Sequence, residues 1–224
     1  MHIHKPKALH GLREFLGEIG VIVCGVLIAI ALDQTVEALH HRSEAKEMIR
    51  KLREESIENR KVIAFDIGIC GRRLADTDKS IALVSAALRA GRLPDAPEPL
   101  SPASVFQPAD AAWITMRDSA LLPIMPKLTV DNYWKLDVTG QAVQEHSHSA
   151  SESRLRLNAL ILTAHQRPID PVLANDLLLA LNQFRQEEQS YCTSLNDLRD
   201  ENEIVLYGKE LDIGEAMRES KRLD

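Results

Sequence analysis

The stretch FLGEIGVIVCGVLIAIAL, residues 15–32, runs without a break into LDQTVEALHHRSEAKEMIRKLREESIENRKVIAF, residues 32–65. The first is apolar and the second charged and helix-forming. A membrane-crossing helix needs about 20 mostly apolar residues. Residues 19–32 supply 14 without a charge, and residues 15–32 supply 18 with a single acid, Glu18. A secretory signal peptide has a similar outline: a basic start (Lys5, Lys7, Arg13), an apolar core and an A-x-A-like end at Ala29-Ile30-Ala31. The helix-forming continuation past Ala31, with no turn signal, favours a retained anchor. Both readings stay open at this point.

Lys and Arg close to a span set its orientation. Lys5, Lys7 and Arg13 precede the apolar run, whereas no base follows it until Arg42. The expectation is an inner-membrane protein with a cytoplasmic N-terminus and a periplasmic remainder. An acid in a membrane segment is a functional candidate by default. Glu18 lies near the end of the run, where its side chain can reach the headgroups, or it can pair with Arg13 or a second chain. Gly20 and Cys24, and Gly25 and Ala29, are small residues four apart, a spacing that admits a close second helix. Glu18, Gly20, Cys24, Gly25 and Ala29 are therefore the candidate helix-packing positions.

The 224 residues are 45% apolar and only 4% aromatic, with net charge −6. A core of Leu, Ile, Val and Ala with few rings suits packed helices, and an acidic chain lacks the basic face of a nucleic-acid binder. The expected class is all-α. Its parts are a basic segment (1–14), a transmembrane helix (15–33), membrane-proximal helices (34–92), a Pro-rich loop (93–109), a helical domain (110–208) and a charged tail (209–224).

Apolar residues recur at helical spacing beyond the span: Val36, Leu39, Met48, Ile49, Leu52, Ile57, Val62 and Ile63. Gly68 and Gly71 predict a bend near Cys70. A second helix then runs from Arg73 to Arg89 and ends at Gly91. Pro94, Pro97, Pro99, Pro102 and Pro108 make the next stretch a stiff extended crossing. Residues 110–120 read as a short helix carrying Trp113, and residues 131–164 as a long one. Asp170 caps the last helix with Pro171 at its first position. Its seam is Leu173, Leu177, Leu181, Phe184, Tyr191, Leu195, Leu198 and Val205, and Gly208 stops it. The short turn at residues 166–170 predicts that the two long helices form an antiparallel hairpin.

Chemistry is sparsely signalled. No G-x-S-x-G, Walker A, G-x-G-x-x-G or H-E-x-x-H motif occurs. His146 and His148 are two apart, which places them on different helix faces. His40 and His41 read as polar surface. The three cysteines, Cys24, Cys70 and Cys192, form no C-x-x-C pair. In an exported domain Cys70 and Cys192 can pair; otherwise they are two buried thiols. Cys70 also precedes Arg72 and Arg73, a setting that lowers a thiol pKa. Trp113 and Trp134 read as core anchors. No cofactor, metal site or catalytic group is expected.

The block LHGLREFLGEIGVIVCGVLIAIALDQTVEALHHR, with CGRRL at residues 70–74 and AAWITMRDSALLPIMP at residues 111–126, resembles a family of uncharacterised proteobacterial single-pass membrane proteins. Glu14, Glu18, Gly20, Gly25, Cys70, Arg73, Trp113 and Arg117 match its pattern. The resemblance implies placement and architecture and attaches no reaction. Trp113, Arg117 and Trp134 are then candidate partner or core anchors. The expected function is a non-enzymatic anchor protein that joins other membrane subunits or itself in the bilayer. The alternative is a membrane-anchored sensor with a helical ligand-sensing domain.

Overall fold

The computed structural model describes residues 12–100 and 108–208. The basic N-terminal segment, the charged tail and the middle of the Pro-rich loop lie outside the described residues. Every described regular element is helical: α1 (Leu12–Arg89), α2 (Ala111–Arg117), a 3-10 turn (Leu122–Ile124), α3 (Lys127–Gln166) and α4 (Pro171–Tyr207). The chain divides into two units, residues 1–48 and 49–224.

In the first unit α1 carries a segment long and apolar enough to cross a membrane, and none of it is buried. Val21, Ile22, Val26, Leu27, Ile28 and Leu32 all stand exposed. A helix that is apolar all round and uncovered is costly to keep in water, and a bilayer removes that cost.

In the second unit α1 buries a stripe at steps of three, four and seven: Leu52, Ser56, Asn59, Ile63, Asp66, Cys70, Thr77 and Val84. Four of these eight are polar side chains. Ile57 and Val62, read as part of the apolar seam, lie outside instead. The second helix expected to begin at Arg73 is instead part of α1, which runs unbroken through Gly68 and Gly71. Each glycine costs a helix about 1 kcal/mol. Burial of Ile63 and Cys70, with Ile67 and Leu74 partly covered, outweighs that cost.

Helix α1 ends in a Schellman motif. Gly91 has φ +66°, the Gly91 N–H donates to Leu88 O at 3.0 Å, and the Arg92 N–H donates to Ala87 O at 3.0 Å. The Pro-rich crossing is pinned at both described ends by asparagine side chains. Asn59 donates to Ala109 O and accepts from the Ala109 N–H, both at 2.8 Å. Asn158 does the same for Leu100, at 3.1 and 2.9 Å. Each amide pairs with a backbone as a neighbouring strand would, so a segment without its own ladder stays satisfied.

Helices α3 and α4 run antiparallel. Gly140, early in α3, lies against Leu198, late in α4, and His146 meets Ser194. Asp170 starts α4 by accepting from the Leu173 N–H at 2.8 Å, with Pro171 next, and Gly208 at φ +66° closes it. Leu173, Leu177, Leu181, Phe184, Tyr191, Leu195 and Leu198 are all buried; Val205 is only half-buried and Leu206 takes the core position. Near the hairpin turn Leu177, Leu181 and Phe184 pack with Val84, Leu157 and Ile161. Each such side chain contributes about 1.5–3 kcal/mol on burial.

Candidate functional site

The second unit holds a cavity of about 270 Å³ between α1, α2, α3 and α4. Glu55 and Asn59 position its α1 wall. Asp110 makes no side-chain cap for α2. Glu55 supplies one from another helix, accepting from the Ala112 N–H at 2.9 Å. That bond helps hold α2, a helix too short to stand alone, with Trp113 facing inward. Trp113 is 4% exposed. Its ring stacks on Tyr133 with centroids 6.0 Å apart and meets Trp134 edge-on at 6.4 Å. Tyr133 Oη lies 3.2 Å from Ser56 Oγ, and burial raises the phenol pKa. From α4, Asn202 donates to Ser56 O at 2.9 Å.

Charge lines the cavity unevenly. Glu55, Asp110 and Asp137 contribute carboxylates and Arg117 contributes a cation. Arg117 lies 3.3 Å from Asp118 and 3.8 Å from Asp137. Two fully buried polar atoms on lining residues, Trp113 Nε1 and Asn202 Oδ1, have no hydrogen-bond partner among the described residues.

A second polar cluster lies deeper, where α1, α3 and α4 meet. Glu188 is 0% exposed, and the Arg73 guanidinium sits 3.2 Å from one of its oxygens. Burial raises the Glu188 carboxyl pKa, opposed by the charges of Arg73 and Arg154. Burial, with the nearby Arg73 charge, lowers the Arg154 pKa. Burial likewise raises the Tyr191 phenol. Beside this cluster a disulfide joins Cys70 of α1 to Cys192 of α4, with Cα atoms 5.9 Å apart. The reactive-thiol reading of Cys70 therefore fails: its sulfur is bonded, and Arg73 turns to Glu188. The sulfurs of Cys70 and Cys192 and a Glu188 oxygen lie within 4.8 Å of one another. Joined sulfurs offer no thiolate, so the trio is not a zinc-type ligand set.

The other sequence candidates are dispersed. Trp113 lies in the core, but Trp134 is 54% exposed and is no core anchor. Arg117 stands at the surface beside the cavity. Glu18, Gly20, Cys24, Gly25 and Ala29 are exposed on the apolar helix; open space surrounds Gly20 and Gly25, and Cys24 is a free thiol. His40 and His41 pair with Glu37 and Glu44 on an exposed face. His146 is half-buried, with its Nδ1 2.5 Å from Ser194 Oγ, and His148 pairs with Glu152.

Sequence reading missed Glu188, Asn59 and Asn202. Glu188 had a signal: it falls four after Phe184 and three before Tyr191, on the seam itself. An acid at a core position of a regular seam marks a buried ion pair. Comparison with known proteins adds no assignment: no protein-family model matches the chain, and no curated protein or solved structure is similar to it.

Proposed function

We propose that this protein is a single-pass, non-enzymatic membrane anchor whose exported helical unit works by association, as an accessory subunit or a homo-oligomer. The uncovered apolar face of residues 15–32 is the observation that carries this reading. The basic flank of Lys5, Lys7 and Arg13 supports a cytoplasmic N-terminus. A disulfide between α1 and α4 supports an oxidising compartment, the periplasm, for the second unit. The N-terminal block's likeness to the proteobacterial single-pass proteins fits that placement. Within the bilayer Glu18, Gly20 and Gly25 offer the positions at which another helix approaches.

Purification of the full chain in a mild detergent, with particle mass and identification of co-purifying chains, tests this reading. A stoichiometric partner or a discrete homo-oligomer is the expected result. A bare monomer with no co-purifying chain sinks it, and an assembly whose particle mass is unchanged by Gly25→Leu sinks the packing role of Gly25. The cavity beside Trp113 favours a second reading, in which the exported unit senses a small ligand.

A further inference from the structure

We infer that the Trp113–Tyr133 cavity is a binding site for a small organic cation, an amine or quaternary ammonium with a compact apolar body. This gives the sensing reading its ligand class and rests on that reading only for its biological use.

Charge is the first argument. Among the described residues lining the cavity, three are carboxylates and one is a guanidinium. That guanidinium, on Arg117, already faces Asp118 and Asp137. Glu55 spends one oxygen on the Ala112 N–H, which leaves carboxylate capacity in the wall. An ammonium donates and carries the opposite sign, so it meets both needs.

The apolar wall is the second argument. Trp113 and Tyr133 supply electron-rich rings, the groups that attract a cation once it is desolvated. Ile63, Leu136 and Leu198 supply surface for a hydrocarbon body. The third argument is an acceptor in need of a donor. Asn202 is 1% exposed, lines the cavity, and its Oδ1 has no hydrogen-bond partner among the described residues. A buried acceptor left unmade costs about 1–3 kcal/mol. A ligand N–H brought to Asn202 removes that cost, while the unpaired Trp113 Nε1 on the same wall remains a donor. The volume, about 270 Å³, sits at the small end of ligand pockets and favours a compact molecule.

The chain provides its own reporter. It has two tryptophans, Trp113 lining the cavity and Trp134 edge-on to it, so intrinsic fluorescence reads this region alone. The full-length protein in detergent is titrated with phenylethylamine and tetraethylammonium, and with phenylacetate and phenylalanine as anionic and zwitterionic counterparts. The expected result is saturable fluorescence change and a rise in Tm with the two cations only. Glu55→Gln and Asp110→Asn should each weaken binding by roughly 10- to 100-fold. The side-chain amide oxygen introduced by Glu55→Gln still accepts from the Ala112 N–H, so α2 keeps its anchor and both variants should melt near the parent.

Tighter binding of phenylacetate or phenylalanine would overturn the charge assignment. Cation binding unchanged in both variants would place it elsewhere and overturn the site. No response to any of the four probes would overturn the cavity as an organic-cation site. None of these outcomes bears on co-purification or oligomeric state, so the anchor reading stands or falls separately.

Discussion

Replacing both bonded cysteines by alanine, Cys70→Ala with Cys192→Ala, should destabilise the helical unit heavily. The two residues are 122 apart in sequence, and the bond ties α1 to α4. Closing a loop of that length removes roughly 5 kcal/mol of unfolded-chain entropy at 25 °C, and measured losses in practice run to about 2–5 kcal/mol. The sulfurs also fill core space between Ile63, Val143 and Leu195, and alanine leaves part of that space empty. Against a total stability of about 5–15 kcal/mol this is a large share. For a chain of this size it corresponds to a fall in Tm on the order of 10 °C. The assay is urea unfolding followed by far-UV circular dichroism, with thiol titration of the parent in non-reducing denaturant. One reactive thiol, Cys24, is expected in the parent. Three reactive thiols, or a double variant melting within about 2 °C of the parent, would refute the reasoning.

Three further outcomes follow from named contacts. Burial raises the Glu188 carboxyl above its unfolded value of about 4.3. Its favourable contribution is therefore full below that value and lost as pH rises through the folded pKa. Stability of the parent minus that of Glu188→Gln should thus fall as pH increases from about 4, and a rising or flat difference in paired urea melts would contradict it. Asp170→Ala removes the α4 cap and should cost about 1 kcal/mol by the same melts. Asn59→Ala removes both bonds to Ala109, together worth roughly 1–3 kcal/mol, so hydrogen exchange at the Ala109 amide should speed up at least about fivefold.

Much of the architecture was readable because it rests on local signals. The apolar run, the Asp170-Pro171 start, the Gly91 and Gly208 stops and the α4 seam each have a short-range physical cause. What escaped was long-range. The α1 stripe is half polar, so hydrophobic spacing pointed to Ile57 and Val62, while Ser56, Asn59 and Asp66 took the inside. Ser56 and Asn59 are buried because partners from far in sequence satisfy them: Tyr133 and Asn202 meet Ser56, and Ala109 meets Asn59. The separate helix expected from Arg73 merged into α1 for a related reason, since the low helix propensity of Gly68 and Gly71 was overruled by burial against α3 and α4. The cavity was half legible. Trp113 and Arg117 stood out as residue types, but Glu55, Asp137 and Asn202 join them only through packing.

The central claim is an anchored chain with its helical unit outside the cytoplasm. Protease treatment of intact spheroplasts expressing the full-length protein tests it most directly, read by antibodies to each end of the chain. The account predicts that the C-terminal unit is digested from outside, while a membrane-embedded N-terminal fragment survives in the pellet. Protection of the whole chain until the cells are lysed, or release of a soluble fragment lacking residues 1–31 without protease, would contradict it.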